Sequence, residues 1–261
     1  MKCRCCEKNN SLKIFSAEML SKKIEYFECE NCRYVFTEEP TWLDEAYKNS
    51  MNDSDTGIMS RNLSNISLVM ATLTMLRNRN STIVDYAGGH GYLVRLLRDI
   101  GVNALWADPY AKNLVAKGFE YKNNSNVKLV TAFESFEHFV RPCEEMTKLV
   151  NIAPNILLTT SIIPKPTPKP LDWWYYGLDH GQHIGFFRIE TLKYIADKFG
   201  LFLLSNGVDT HFLSKKKYSY QAWRILMILA NKIPKLFFIG MKPKTWEDHL
   251  YISKNSPNLD L

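Results

Sequence analysis

Thr82-Ile-Val-Asp-Tyr-Ala-Gly-Gly-His-Gly-Tyr-Leu93 decides the fold. Its β-branched opening reads as a strand, its glycines as a tight turn, and the leucine-rich continuation as a helix. Gly88, Gly89 and Gly91 permit positive φ and let a ligand approach bare amides at a helix N-terminus, where the dipole is positive. A dinucleotide fold asks for G-x-G-x-x-G, but Gly89-His-Gly-Tyr-Leu-Val94 puts a valine where the third glycine would pack helix on strand, which lowers the nicotinamide reading. Asp85 ends the strand just before the loop. A second apolar run, Ala104-Leu-Trp-Ala107, ends in Asp108, about one βαβ step later and placed to accept both hydroxyls of a ribose.

These residues resemble the class I S-adenosylmethionine-dependent methyltransferases, whose first motif is acid-x-G-x-G-x-G and whose second strand ends in an acid. Ala87 stands at the family's first glycine. The similarity continues from about residue 60. Val127 to His138, with Glu137-His138 and then Pro142, looks like the fourth strand and its signature; Asn155 to Thr160 looks like the fifth; His183 to Leu192 resembles the entry into the following helix. The resemblance implies an α/β fold, a Rossmann-like class I methyltransferase sheet with helices on both faces. It also implies S-adenosyl-L-methionine as cofactor, held by Asp85, Ala87, Gly88, Gly89, Gly91 and Asp108, with Pro109 and Phe133 at its border. In this family Glu137 and His138 commonly tie strand to helix, so a structural role is weighed slightly above a catalytic one.

With 261 residues and 46% hydrophobic content the chain can bury one sizeable core plus a small satellite. There is no 18-residue apolar run, and no apolar stretch of signal-peptide type follows Met-Lys-Cys-Arg-Cys-Cys, so a cytoplasmic enzyme is expected. The net charge of +6 is uneven: residues 211–244 hold eight Lys or Arg and no acid, leaving the rest at −2.

Residues 1–40 carry five of the six cysteines. Cys3-x-x-Cys6 and Cys29-x-x-Cys32 are two knuckles whose 22-residue separation lets four thiolates meet, which reads as a structural Zn2+ site in a small zinc-binding module. Cys5 could replace a neighbouring ligand, although spacing favours Cys3 and Cys6; Cys143, alone, reads as a buried small hydrophobe. Segments around Lys13-Ile-Phe and Glu25-Tyr-Phe-Glu read as short strands. Seven basic and seven acidic residues in 1–40 leave no footprint for phosphates, so nucleic acid is disfavoured as a partner. The arrangement of a four-cysteine module on a class I domain is similar to bacterial sugar methyltransferases, which implies a small-molecule sugar or nucleotide-sugar acceptor.

Residues 41–78 read as a linker and helical cover, with Thr41 capping a helix over 42–50 and an amphipathic helix over 58–76 through Leu63, Ile66, Val69, Met70, Leu73 and Leu76. Residues 79–261 then form the methyltransferase domain, with a substrate arm at 161–187. Alternating prolines from Pro164 to Pro170 predict an extended, polyproline-like arm leaving the fifth strand at the sheet edge where open α/β folds bind ligands. Trp173, Trp174, Tyr175 and Tyr176 offer faces for a sugar ring, about half of them pointing one way, and Asp172, Asp179, His180, Gln182 and His183 offer polar contacts. His183 is the first candidate for a base and His180 the second, because imidazole titrates near neutrality; His183 reads equally as a helix cap. Where the sugar C-methyltransferases have Glu-His, this chain has Gln182-His183, which favours oxygen or nitrogen as acceptor.

A helix over 188–199 and a sixth strand over 201–207 follow, then the basic apolar segment 211–244, which reads as a packed helix or a peripheral membrane contact, and a last strand over 246–253 before a fraying tail. The expected function is methyl transfer to a sugar intermediate of surface glycan or secondary metabolite biosynthesis. Rivals are an RNA methyltransferase with a zinc ribbon and a non-catalytic S-adenosylmethionine-binding scaffold. No Asn/Asp-Pro-Pro-Tyr/Phe motif follows the fourth strand. Acceptor atom and oligomeric state are not specified by the sequence.

Overall fold

The computed structural model describes residues 1–48, 55–123 and 126–255. In chain order its elements are β1 (Ser11–Met19), β2 (Lys22–Cys29), β3 (Val35–Thr37), α1 (Leu43–Ala46), α2 (Ile58–Met75), β4 (Thr82–Tyr86), α3 (Tyr92–Asp99), β5 (Asn103–Ala107) and β6 (Val127–Phe133). There follow α4 (Pro142–Ile152), β7 (Asn155–Thr159), β8 (Gly185–Phe186), α5 (Ile189–Lys198), β9 (Phe202–Ser205), β10 (Thr210–Ser214), α6 (Tyr220–Lys232) and α7 (Thr245–Asn255). Six strands take the order β5-β4-β6-β7-β10-β9, and β1-β2-β3-β8 form a separate sheet. β4 runs parallel to β5 and β6, whereas β10 is antiparallel to β7 and β9, so the larger sheet is mixed with a parallel part. The chain divides into two compact units, 57–131 with 219–261, and 1–56 with 132–218.

In the unit of 57–131 and 219–261, Ile83 and Val84 of β4 are fully buried, as a parallel strand covered on both faces requires. α2 packs on α3 and α6 and buries Ile66, Val69, Met70 and Leu73, each worth roughly 1.5–3 kcal/mol on burial. Leu63, expected on the buried face, is exposed, so that face begins at Ile66. α6 buries Trp223, Met227 and Ala230 and leaves Ile225 and Ile228 exposed. The last strand expected over 246–253 is instead α7. Asp248 explains it: one helical turn places its carboxylate between Arg95 (2.7 Å) and buried Arg98 (2.7 Å to Nε), contacts that alternation would not select.

In the unit of 1–56 and 132–218, β1 and β2 form an antiparallel hairpin closed by Leu20 and Ser21, both at positive φ. β3 continues the sheet and pairs with β8, so the strand after the arm joins the N-terminal strands. Gly185 is required there, since a Cβ would lie 1.8 Å from the Tyr34 hydroxyl. The helix expected over 42–50 is only α1, with Trp42 at its cap and no side-chain bond from Thr41; its last two expected residues fall outside the described range, as does the tail beyond 255. The arm is not uniformly extended. It coils into 3-10 turns at Pro170–Asp172 and Trp174–Tyr176, because Trp173, Tyr175 and Tyr176 bury against Tyr26 and Phe186 rather than facing outward. The first residues of the basic segment, His211 to Ser214, form part of a buried strand, β10, where periodicity points to no strand. Among the described residues no helix is long and apolar enough to cross a membrane.

Candidate functional site

The glycine loop lies within the first unit. β4 delivers Asp85, whose buried carboxylate accepts the Thr131 hydroxyl at 2.6 Å. Burial raises its pKa to about 7 despite that bond, and Asp108 adds to the rise. Gly88 is needed because a Cβ would meet Asp85 Oδ2 at 2.7 Å. Ala87 sits at φ +55°, a conformation costly for any residue with a Cβ. Gly91, at φ +90°, caps α3, and no side chain caps that helix, so its first amides remain available to an anion or a ligand.

Asp108 is fixed by backbone donors: Gly89 N–H reaches Oδ2 at 2.9 Å, and the amides of Tyr110 and Ala111 reach Oδ1 at 2.7 and 2.8 Å. Trp106 Nε1–H holds the Gly89 carbonyl at 2.8 Å. The loop is thus tied to the end of β5 from both sides, and the space over Gly89 is open, with nothing within 4 Å of a Cβ there. Asp85, Ala87, Gly88, Gly89, Gly91 and Asp108 come together; Pro109 lies exposed beside them. Trp106 and Thr131 were missed, since neither belongs to the glycine motif. Phe133, half-buried, belongs to the other unit.

In the unit of 132–218 the candidate side chains gather where the arm returns to β8. Glu137 and His138 lie in a 3-10 turn, Phe136–His138, after β6, and the Ile184 amide donates to the Glu137 carbonyl at 2.9 Å. The His138 and His183 rings stand 4.8 Å apart, and the Tyr175 ring lies tilted 4.7 Å from His183. His183 Nδ1 lies 2.6 Å from the Tyr175 carbonyl, and His138 Nδ1 lies 3.1 Å from the Gln182 carbonyl and 2.9 Å from the Tyr47 hydroxyl. A carbonyl only accepts, so both histidines carry their proton on Nδ1 and a lone pair on Nε2. Burial lowers His138 to about 4 and His183 well below its ordinary value. His180 is the opposite tautomer, since its Nδ1 accepts the Gln182 amide at 3.1 Å.

Tyr175 and Tyr176 are buried, and Tyr176 bonds the Pro168 carbonyl within the core. Trp173 is half-buried, Trp174 is 80% exposed, and Asp172 and Asp179 face solvent. Glu134, absent from the candidate residues, receives the Tyr175 hydroxyl at 3.4 Å.

Cys3, Cys6, Cys29 and Cys32 are buried with their Sγ atoms within 4.8 Å of one another. Cys3 and Cys32 are 3.6 Å apart and Cys6 and Cys29 3.5 Å, close to the ~3.8 Å edge of a tetrahedron with 2.3 Å zinc–sulfur bonds. The Cys5 and Cys6 amides point at Cys3 Sγ, which suits a thiolate. The donor set therefore fits zinc. Cys5 turns instead toward Cys143, at 3.9 Å, so Cys143 is buried as expected but not alone.

A family model described as a methyltransferase domain matches residues 59–206, more than half of the chain. No curated protein matches. Among solved structures the chain is similar to an O-methyltransferase family protein from Burkholderia thailandensis, with 12% identity over 68% of this chain and 64% of that one and a TM-score of 0.48. OxaC in complex with SAH and oxaline shares 16% identity over 58% of this chain and 47% of that one, TM-score 0.42. The mitomycin 7-O-methyltransferase MmcR shares 13% over 67% and 60%, TM-score 0.41. The match spans less than two thirds of each of these chains.

Proposed function

We propose, from the premise that this chain belongs to the methyltransferase-domain family, that it moves the methyl group of S-adenosyl-L-methionine to an oxygen or nitrogen of a sugar or nucleotide-sugar acceptor. The observation that carries the cofactor reading is the Gly89 N–H bond to Asp108, which joins the open glycine loop to a carboxylate at the next strand end. Asp85 and Gly88 set the floor of that loop. Asp108 Oδ1 already accepts two amides, whereas Oδ2 accepts one and keeps a lone pair for a ribose hydroxyl.

Methyl transfer is an in-line displacement and needs chiefly a positioned, deprotonatable acceptor. His183, with its Nε2 lone pair, is the proposed acceptor-activating group, and exposed Trp174 with half-buried Trp173 offers the stacking face; Tyr176 is committed to the core. His180 presents a protonated Nε2 and serves better as a donor to a hydroxyl. Contact with an anionic membrane, if made, would use the exposed part of the basic segment from Lys215 onward, since residues 211–214 are buried in β10.

Calorimetry with S-adenosyl-L-methionine tests the premise: the parent should bind, and Asp108→Ala should bind about 10- to 100-fold more weakly for a lost charge-assisted bond. Wild-type affinity in the variant would remove Asp108 from the site. Radiolabelled methyl transfer to a panel of nucleotide-sugars then tests the acceptor class, and label found only in RNA would replace it. We further propose one structural zinc on Cys3, Cys6, Cys29 and Cys32; zinc near zero by elemental analysis of protein purified without chelator would refute it.

A further inference from the structure

The geometry points to a second cation site, formed by Glu137, His138 and His183 and suited to a borderline divalent ion of the Mn2+, Fe2+, Co2+ or Zn2+ kind. One ligand atom from each residue lies within 4.8 Å of the others, and His138 Nε2 is 4.0 Å from Glu137 Oε1. Bonds of about 2.1 Å would draw such atoms to roughly 3 Å apart, a matter of side-chain rotation.

Two observations make this more than proximity. Both histidines donate Nδ1–H to a backbone carbonyl, at Gln182 and Tyr175, which is how metal-bound imidazoles are held in the correct tautomer with Nε2 free. Glu137 is fully buried, and neither carboxylate oxygen makes a well-formed hydrogen bond among the described residues, the Tyr175 and Thr160 hydroxyls lying near it without closing one. Buried carboxylates are almost always bonded or metal-bound, because desolvation is otherwise uncompensated.

Two imidazoles and one carboxylate favour a borderline ion over Ca2+ or Mg2+ and leave coordination positions open. The cysteine site is of another kind, all thiolate and with no open position. An ion held there would polarise an acceptor hydroxyl and lower its pKa so that its proton could pass to solvent, and His183 would then serve as a ligand and not as the base itself. That consequence rests on the methyl-transfer reading above; the binding does not.

Mn2+ is the probe, because thiolates disfavour it and a zinc-loaded cysteine site stays silent. Electron paramagnetic resonance on the full chain should find about one bound Mn2+ with magnetic coupling to two imidazole nitrogens. Glu137→Gln should weaken it more than the 10- to 100-fold that loss of an outer partner causes, and His180→Gln should leave it in place. No bound Mn2+, bound Mn2+ without nitrogen coupling, or unchanged affinity in Glu137→Gln would each overturn the site. Should Glu137→Gln fail to fold, the nitrogen coupling in the parent decides alone. Two-nitrogen Mn2+ binding in a protein that methylates no sugar would uphold the site and refute the acceptor class.

Discussion

Three glycines that look alike in the sequence do three different things. Gly88 admits the Asp85 carboxylate, Gly89 leaves open space at φ +54°, and Gly91 takes φ +90° where a Cβ would strike Ala116 at 2.9 Å. Ala87, at φ +55°, bears a Cβ in a conformation that costs about 1 kcal/mol or more. Ala87→Gly should therefore be neutral or raise stability by up to about 1 kcal/mol, the relieved strain being partly offset by a freer unfolded chain. Gly91→Ala should lower stability by about 2 kcal/mol or more, since strain and overlap add there. Chemical denaturation measures both, and a Gly91→Ala protein as stable as its parent would mean that the helix start shifts freely. The sequence made the loop legible because glycine is rare enough in a strand-to-helix turn to stand out. It could not rank the glycines, since what each one approaches comes from residues 3 to 25 positions away.

At the scale of elements, β4, β5, β6, β7 and the helices after β4 and β8 were readable, because each is a long apolar or periodic run bounded by turn residues. β10 and α7 were not. β10 is short and merges into a lysine run that drew attention to charge, and α7 is held by Asp248 on Arg95 and Arg98, a contact 150 residues apart in sequence for Arg98. The histidine cluster was legible only in parts for the same reason: Glu137 and His138 meet His183 across the whole of α4, β7 and the arm. Arg188 is the comparable fastener in the unit of 132–218. Its buried guanidinium grips Glu28 of β2 at 2.9 and 3.2 Å and also the Pro164 carbonyl and the Thr167 hydroxyl. Arg188→Met should cost about 3 kcal/mol, because Glu28 is left poorly solvated with, among the described residues, half-exposed Arg33 as its remaining charged partner. The double variant Glu28→Gln/Arg188→Met should be less destabilised than the single, as no unpaired charge then remains buried. Equal or additive losses in the pair would show that Arg188 acts by packing alone.

The whole molecule carries +6, yet its response to acid should be set first by buried imidazoles rather than by surface charge. His211 in β10 is fully buried, receives the Ser205 hydroxyl on Nδ1 at 2.8 Å and gives Nε2–H to the Thr160 carbonyl at 3.1 Å. Burial lowers its pKa to about 4, outweighing the Thr160 carbonyl and Asp209, which pull it upward. Its folded pKa thus lies below the unfolded value near 6.5, so the unfolded chain takes up the proton first. The sign follows: this group's contribution is complete above pH 6.5, is lost as pH falls from there toward about 4, and amounts to roughly 3 kcal/mol at most. His211→Gln keeps a donor for the Thr160 carbonyl but cannot titrate, so its melting temperature should fall less steeply than the parent's between pH 7 and 4.5. Other buried groups contribute equally to both proteins and cancel in the difference. Parallel curves would mean that His211 is solvated or relaxed on protonation, and the sheet edge at β10 and β9 would then be looser than its hydrogen bonds imply.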